Sequence, residues 1–411
     1  MNTDRTTTMA PGAATTARGL APLTLLVVVG ALMTVSALAT DAMLPAFPAM
    51  AVHFGVSATT IQSVVSIFML GYALPHLLVG SLADRFGRRP VLLVGLGVYL
   101  LGGLISWAAP SLGVLLLGRF VQGLGASAGP IMARAVLRDL YQGRELGRML
   151  SYAMIFFSAA PLLAPAVGTL LLSVAEWRAI FLFLVVVAVA LALLVAFVLP
   201  ETVVERDPAA LRLAGLWRNA RLIFSDPRSG WTVLVMALAY AGLMAYLLSA
   251  PALYIGHFGL SEAGFALVFA GVASTTFVAQ PLNVMLLRRF APSRILAFAV
   301  PAFLAVSVVL IAQVALGVAT LASFVVNLMA FFTTFSLTLA NGTTVALDPH
   351  QRRAGMASGL MGFAQLSLGT GLGSVVASFA DRGPLPLALG LGAAGLLAHL
   401  ALRLALRPAK P

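Results

Sequence analysis

Two charged residues lie in otherwise apolar stretches of the sequence, and both are candidates for proton-linked chemistry. Asp41 ends an apolar run that begins near residue 21, and Arg119 lies within the run LLLGRFVQGLG. The other twelve acidic residues lie in polar loops or in the N-terminal tail, and Arg119 is the one clearly embedded cation. A charge at the centre of a membrane helix costs at least about 2.5–3.5 kcal/mol, so such residues mark functional sites by default. A carboxyl at such a position can take up a proton and release it again.

Each of these residues also has a purely structural interpretation. Asp41 shares its helix with Thr34, Ser36 and Thr40, and it can simply end that helix at a membrane surface. Arg119 can anchor its helix by donating hydrogen bonds to carbonyl groups of neighbouring helices. From the residues alone both interpretations stay open.

The composition shows what surrounds the two charges. Of the 411 residues, 61% are hydrophobic and 9% are charged, and the mean hydropathy is +1.02. Soluble domains have about 45–50% apolar and about 25% charged residues. A soluble enzyme, a nucleic-acid binder and a disordered scaffold are therefore excluded. The apolar runs are continuous rather than alternating, which argues against an outer-membrane barrel.

The residues needed for metal or covalent chemistry are missing from the sequence. There is no cysteine, so disulfides, thiolate metal sites and cysteine nucleophiles are excluded. No histidine pair, His/Glu cluster or Ser-His-Asp set occurs at a usable spacing. We therefore expect no metal site, no cofactor and no enzyme activity.

The apolar runs predict an all-α polytopic membrane protein with twelve transmembrane helices, because about 20 apolar residues span the hydrocarbon core. Residues 1–19 are small and polar and contain Pro and Gly, which predicts a disordered cytoplasmic tail. The predicted spans are 21–41, 59–82, 91–108, 112–133, 149–173, 178–199, 231–252, 263–287, 294–314, 319–345, 354–380 and 384–406.

The distribution of positive charge predicts the orientation of the chain. The net charge is +12, and 22 of the 25 Lys and Arg residues lie in the tail and in alternate loops on one side. Positive loops stay in the cytoplasm, so both termini are expected there, in a bacterial-type inner (cytoplasmic) membrane. The positive charge therefore has membrane lipid as its partner and does not indicate nucleic acid.

The longest loop, 200–230, separates a predicted N-terminal six-helix bundle, 20–199, from a C-terminal one, 231–411. Its five arginines alternate with Leu, Ile and Trp, a pattern that suits an amphipathic helix on anionic lipid or a solvated linker. Two bundles of six helices place a substrate site at their interface, near the middle of the membrane.

The loop after the second span reads GSLADRFGRRP, residues 80–90, and it resembles the signature loop of the major facilitator superfamily. The family's fold is two six-helix bundles. Gly80 permits close helix approach, Gly87 permits a tight turn, and Asp84 can face the positive N-terminal end of another helix. We expect these residues and the neighbouring cations to form a latch that opens when the two halves rock. The latch residues are Gly80, Asp84, Arg85, Gly87, Arg88 and Arg89.

Three further stretches narrow the resemblance. Span four contains Arg-x-x-Gln-Gly, which is similar to a motif of twelve-span drug:proton antiporters. Span five contains Pro161, Pro165 and Gly168, resembling the antiporter motif, although Ala164 and Thr169 replace two of its glycines. The two prolines predict a bent helix. The segments TDAMLPAFP at 40–48, RAVLRD at 134–139, WRAIF at 177–181 and LPET at 199–202 resemble the bicyclomycin/chloramphenicol-resistance (Bcr/CflA) branch.

This resemblance implies that Asp41 carries the proton and that Arg119 couples proton and drug occupancy. The substrate cavity is expected to be mostly apolar with a few polar groups, as suits a lipophilic, weakly polar compound. For any one aromatic residue in it, helix packing is the simpler role. The expected cavity residues are Tyr72, Gln122, Phe156, Phe157, Tyr240, Tyr246, Asn327, Phe331, Phe335 and Gln365, with Gln62, Thr334 and Asn341 as further polar candidates.

The predicted function is export of amphipathic or lipophilic drugs, chloramphenicol- or bicyclomycin-like, in exchange for protons by alternating access. The partners are then the drug, protons and lipid, and the chain is expected to work as a monomer. The alternative with the same fold is a dedicated proton-coupled metabolite transporter for a nucleoside, sugar or amino acid, which should need more embedded polar groups. A membrane enzyme or receptor would need a catalytic cluster or an extramembrane domain.

Overall fold

A computed structural model describes residues 22–141, 143–203, 206, 225–349 and 354–406. All regular secondary structure in these ranges is helical. The predicted tail at 1–19 and nearly all of the predicted amphipathic segment in 200–230 lie outside the described residues.

The described helices of the N-terminal half begin at Pro22 and end at Phe197. Two short 3₁₀ turns, Leu44–Ala46 and Leu74–Leu77, interrupt the first two spans. In chain order the helices are α1 (Pro22–Asp41), α2 (Phe47–Phe54), α3 (Ala58–Ile61), α4 (Ser63–Ala73), α5 (Val79–Phe86), α6 (Arg88–Trp107), α7 (Leu112–Ala126), α8 (Ala128–Leu140), α9 (Gly143–Val174) and α10 (Arg178–Phe197).

The C-terminal half has longer, less interrupted helices. A π-helical turn, Ala252–His257, follows the first of them, and a 3₁₀ turn, Ala380–Arg382, precedes the last. The helices are α11 (Pro227–Pro251), α12 (Glu262–Leu287), α13 (Pro292–Ala315), α14 (Leu321–Leu347), α15 (Ala354–Ala377) and α16 (Leu385–Ala405).

The described helices account for the twelve expected spans. Eleven of the described helical segments are long and apolar enough to cross a membrane. The twelfth span is α9, a 32-residue helix that is continuous through Pro161 and Pro165. The prediction of an all-α membrane protein with twelve spans is confirmed.

The first span is longer than its sequence indicated. The expected end was residue 41, and two prolines, Pro45 and Pro48, follow it closely. The helical path instead continues to Phe54, with each proline in the first turn of a new helical segment. Proline is tolerated there because the first amides of a helix have no intrahelical partner. The residues between Met43 and Phe47 are buried, so they belong to the bundle and not to a loop.

Most packing occurs within each half. α1 packs on α8 and α9, α4 packs on α7, and α7 and α10 pack on α6. In the other half α11 packs on α14, α15 and α16, and α13 packs on α14 and α16. The two halves meet where α9 contacts α12 and where α4 and the turn Leu74–Leu77 contact α15.

Candidate transport site

Asp41 lies at the C-terminal end of α1 and is almost completely buried, with 4% of its surface exposed. Its Oδ1 is 2.8 Å from the hydroxyl oxygen of Thr40, which can donate to it. No ion pair to Asp41 occurs among the residues that the structure describes. Within this part of the chain, the carboxyl is therefore a buried acid with a hydroxyl neighbour and without a cation paired to it.

The packing of α9 helps to bury Asp41. Gly168 of α9 lies against the carbonyl oxygen of Ala42, so closely that a Cβ at this position would overlap it. On the side of the C-terminal half, α12 contacts the turn Leu44–Ala46, which begins three residues after Asp41. The segment that follows Asp41 therefore reaches the boundary between the two halves.

Arg119 of α7 is fully buried, and its guanidinium joins three helices. Nη2 donates to the Ala39 carbonyl of α1 at 3.0 Å, and Nε donates to the Val64 carbonyl of α4 at 3.3 Å. Nη1 donates to Oε1 of Gln122 at 2.6 Å. The guanidinium carbon also lies 4.2 Å from the ring centroid of Phe68, a cation–π contact.

These contacts are the structural role that the sequence left open for Arg119, an anchor to neighbouring carbonyl groups. The Ala39 carbonyl, which accepts from Arg119, lies two residues before Asp41 in α1. The two charged groups form no ion pair with each other. Any coupling between them therefore acts through the backbone of α1 and not through a direct contact.

The signature loop forms an ion network at one end of the bundle, which we call the signature face. Arg88 donates through Nη1 to Asp84 Oδ1 at 2.6 Å and through Nε to Asp139 Oδ2 at 3.1 Å. The hydroxyl of Thr202 donates to the same oxygen of Asp139 at 2.9 Å. The loop, α8 and the end of α10 are therefore joined through two carboxylates. Asp84 was expected to face another helix's N-terminal end, and its observed partner is Arg88.

Glu201, which follows the C-terminal end of α10, contacts the same network. Its Oε1 accepts from the amide of Arg88 at 2.8 Å, and its Oε2 accepts from the amide of Arg89 at 3.3 Å. The carboxylate therefore caps the N-terminus of α6, where a negative charge is favoured. Gly87 precedes this helix with φ +105°, a conformation that disfavours any side chain.

The other latch residues have less specific surroundings. Arg89 Nη2 donates to the carbonyl of Ala196, and Arg85 lies 5.3 Å from the ring centroid of Phe86. No atom of the described residues lies within 4 Å of a Cβ built on Gly80, so close approach of a described helix does not explain that glycine.

Two of the predicted cavity tyrosines lie along the interface between the halves. Tyr72 of α4 stacks on Phe68, with ring centroids 6.3 Å apart. Tyr240 of α11 places its hydroxyl 4.0 Å from the sulfur of Met69, across the interface. Gln365 on α15 is half-buried.

The side chains of other predicted cavity residues pack against neighbouring residues within one half of the protein in this conformation. Gln122 is held by Arg119, and Asn327 donates to Gln313 of α13 at 2.8 Å. Tyr246 is buried among aromatic rings of the C-terminal half, 5.8 Å from the ring of Phe269. Phe331 and Phe335 belong to the same aromatic cluster. Contact of these residues with a substrate stays a prediction.

The N-terminal half supplies two further predicted residues, the aromatic pair on α9. Phe156 packs over Gly30 of α1, with 39% of its surface exposed. The side chain of Phe157 lies outside the described part of the chain. The face opposite to the signature face has a shallow groove of about 600 Å³ between the halves, lined by Pro48, Ala49, Val52, His53, Glu176, Trp177 and Glu262.

The family model of the Major Facilitator Superfamily matches residues 29–374, which is most of the chain. The chain belongs to this superfamily. It is therefore a multi-pass membrane transporter, as the signature loop and the twelve spans had indicated.

Named relatives of the chain come from several bacteria. It is 29% identical over 381 residues to multidrug resistance protein D of Escherichia coli strain K12, covering 92% of each chain. It is 29% identical over 363 residues to a bicyclomycin resistance protein homolog of Haemophilus influenzae, covering 88% of this chain and 90% of the relative. These similarities confirm the resemblance to drug-resistance transporters of the superfamily.

Solved structures show the same fold at lower sequence identity. A D-xylose-proton symporter is 15% identical, with a TM-score of 0.71 and coverage of 94% of this chain and 97% of that one. The human organic anion transporter MFSD10 has a TM-score of 0.67 at 18% identity, over 93% of this chain and all of that one. Both likenesses concern the fold alone.

Sequence reasoning missed the role of Glu201 in this superfamily member. The segment LPET, 199–202, was noted only as a sign of the branch. A glutamate two residues after the end of an apolar span is a sign that it could cap a helix. The helix that it caps begins more than a hundred residues earlier in the chain. Local sequence patterns carry no information about such a distant partner.

Proposed function

We propose that the protein exports amphipathic or lipophilic compounds, chloramphenicol- or bicyclomycin-like, in exchange for protons by alternating access. The observation that carries the proposal is the Asp41 carboxyl, which is buried near the boundary between the two halves and forms no ion pair within the described part of the chain. The names of the relatives support drug compounds as the substrate class. The aromatic cluster of the C-terminal half and the few polar groups among the expected cavity residues suit a lipophilic ligand.

The proposed orientation follows the positive charge. The signature face, with Arg88 and its neighbours, lies in the cytoplasm, and both termini lie there too. The membrane is a bacterial-type inner membrane, its lipid contacts the apolar surface, and the transporter works as a monomer. The face with the shallow groove is then the outer face.

Asp41 is the proposed proton carrier. A carboxyl removed from water and without a cation is held at lower cost in its neutral form than in its ionised form. In the proposed cycle a proton from outside neutralises Asp41, and this form favours the inward-facing state. Drug binding from the cytoplasm or the inner leaflet then promotes release of the proton inward. Drug and proton thus compete for one state of the cavity, as exchange requires.

Arg119 is the proposed coupling residue. Its hydrogen bond to the Ala39 carbonyl holds α1 two residues before Asp41, and its bond to Val64 holds α4. A change of charge at Asp41 changes the energy of the buried end of α1. The hydrogen bond at Ala39 transmits a resulting shift of α1 to Arg119. In this way proton loss becomes a movement of α1 against α4 and α7.

The ion network of Arg88 is the proposed latch. It joins the signature loop to α8 and to the end of α10, so those elements move as one body while it is intact. Charge-assisted hydrogen bonds of this kind are stronger than neutral ones. Opening the signature face is expected to rearrange this network.

The first experiment measures proton release from detergent-purified protein in a weakly buffered solution when chloramphenicol or another lipophilic drug is added. Wild type is expected to release protons, and Asp41→Asn is expected to release none. Asp381→Asn is the matched control, because it removes an exposed carboxyl on the face opposite to the signature face. This variant should behave as wild type.

The other outcomes separate the parts of the proposal. Release that persists in Asp41→Asn would place the proton on another group. No release across a broad drug panel would favour the metabolite transporter. Drug export that is unaffected by collapse of the pH gradient would refute proton exchange.

A further inference from the structure

The second span contains a break at which a histidine side chain replaces a backbone donor. α4 ends at Ala73 and is followed by the 3₁₀ turn Leu74–Leu77, with Pro75 in its first turn. In a 3₁₀ turn each amide bonds the carbonyl three residues earlier, not four. The carbonyl of Tyr72 therefore loses the amide partner that an α-helix would provide at His76.

The His76 ring fills that position. Its Nδ1 lies 2.8 Å from the Tyr72 carbonyl oxygen. A carbonyl can only accept, so Nδ1 carries the hydrogen. The ring also packs edge-to-face on the Tyr72 ring, with centroids 4.8 Å apart. The broken segment is thus held by one side-chain hydrogen bond and one ring contact.

The break lies where the second span contacts the other half of the transporter. A Cβ built on Gly359 of α15 would be 2.8 Å from the His76 carbonyl oxygen. A Cβ built on Gly362 would be 3.4 Å from Cδ2 of the His76 ring. The turn therefore packs directly against the backbone of α15.

Farther from the signature face, two polar contacts join α4 to the C-terminal half within the described residues, and both are neutral. The hydroxyl of Ser374 donates to that of Ser66 at 2.8 Å, and the hydroxyl of Tyr240 approaches the sulfur of Met69. The break at His76 is the point where the second span changes its helical geometry at this interface, so the way it is held affects how the span lies against α15.

We propose that His76 is a positioning residue that sets the balance between the two conformational states of the transporter. Its bond to Tyr72 stabilises the present geometry of the second span against α15. A side-chain bond can open and re-form as the halves rock, without unwinding a turn of helix. The inference rests on the alternating-access part of the proposed function and does not depend on the drug or on the proton.

The test measures the two states in protein without drug. The chain has no native cysteine, so Arg138→Cys and Arg288→Cys can carry one spin label each without background. Both positions are exposed and lie on different halves at the signature face. Pulsed electron paramagnetic resonance then gives the distribution of distances between the labels.

Three variants separate the hydrogen bond from the ring. His76→Phe keeps a ring and loses the donor, and His76→Asn provides an amide N–H near the position of Nδ1. His399→Phe on α16 is the control, because its ring Nδ1 has no partner in the structure. His76→Phe is expected to shift the ratio of the two populations by about fivefold, the size of one neutral hydrogen bond. His76→Asn and His399→Phe are expected to match wild type.

Two results would overturn the proposal. An unchanged distribution in His76→Phe would mean that the bond does not affect the states. A shift in His76→Asn as large as that in His76→Phe would mean that ring packing, not the donor, is responsible. Because no drug is added, neither result depends on whether the protein exports drugs.

Discussion

Replacing Arg119 by lysine tests whether the buried guanidinium joins three helices as the structure indicates. Lysine keeps the positive charge and much of the side-chain length. It lacks the planar fork that reaches Ala39, Val64 and Gln122 in different directions at the same time. At least one of the three hydrogen bonds is therefore expected to be lost.

The expected cost follows from the burial of the site. A hydrogen bond to a charged group contributes about 1.5–3 kcal/mol. In the variant a carbonyl or amide that has no access to water stays unpaired, so the loss is not recovered through hydration. Losing one bond therefore lowers the free energy of unfolding by about 1.5–3 kcal/mol. The flat guanidinium of Arg119 lies close to the ring of Phe68, and the loss of this cation–π contact in the lysine variant adds to the cost.

The measurement is unfolding by titration with SDS from mixed micelles, followed by tryptophan fluorescence. Arg178→Lys is the matched control. Arg178 also donates to a backbone carbonyl, that of Ala109 at 3.1 Å, and lies 4.4 Å from the ring centroid of Trp177. Its side chain is 29% exposed, however, so water can replace the lost contacts. The control is expected to cost less than about 0.5 kcal/mol.

Two outcomes would refute this reasoning. If Arg119→Lys unfolds within about 0.5 kcal/mol of wild type, the three bonds are not needed together. If Arg178→Lys costs as much as Arg119→Lys, burial is not what makes the contacts strong. A loss of drug-induced proton release in a stable Arg119→Lys protein would in addition support its coupling role.

Two further substitutions test close contacts by the same titration. Glu201→Ala removes the oxygens that cap α6 and is expected to lower the free energy of unfolding by about 0.5–2 kcal/mol. Glu176→Ala is its control, because the Glu176 side chain is 80% exposed and its loss should have no measurable effect. Equal effects of the two substitutions would refute the cap. Gly168→Ala places a methyl group against the Ala42 carbonyl and is expected to cost about 1–3 kcal/mol. Gly97→Ala, whose Cβ meets nothing within 4 Å, is its control, and a neutral Gly168→Ala would contradict the close packing of α9 on α1.

The spans and the two embedded charges could be predicted from the sequence because both follow from local composition. An apolar run of 20 residues has few alternatives to a membrane helix, and a single charge in it is conspicuous. The burial of Asp41 and Arg119 agrees with that expectation. The end of the first span could not be predicted in the same way. Proline is read as a helix breaker, but Pro45 and Pro48 each occupy a first turn, where the missing amide has no effect.

The partners of Arg119 could not be predicted from the sequence for a different reason. Two of its three acceptors are backbone carbonyl groups, and every residue has one. Ala39 and Val64 therefore carry no sign of their role. His76 illustrates the same limit, because its acceptor is the carbonyl of Tyr72 and its neighbours across the interface are glycines. Helix packing, and not residue type, decides which carbonyls are left for a side chain.

The described contacts also assign different tasks to the two halves. Asp41, Arg119 and the Arg88 network all belong to the N-terminal half, whereas the C-terminal half holds a cluster of aromatic rings in its core. The contacts of α4 with the C-terminal half are neutral, from Ser66 to Ser374 and from Met69 to Tyr240. Neutral contacts can be exchanged without separating charges in a low dielectric, so sliding at the interface costs little. The charged contacts in the Arg88 network and at Arg119 lie inside the N-terminal half and are stronger than these neutral ones. Substitutions there should therefore lower the free energy of unfolding more than substitutions of equal size along the neutral interface.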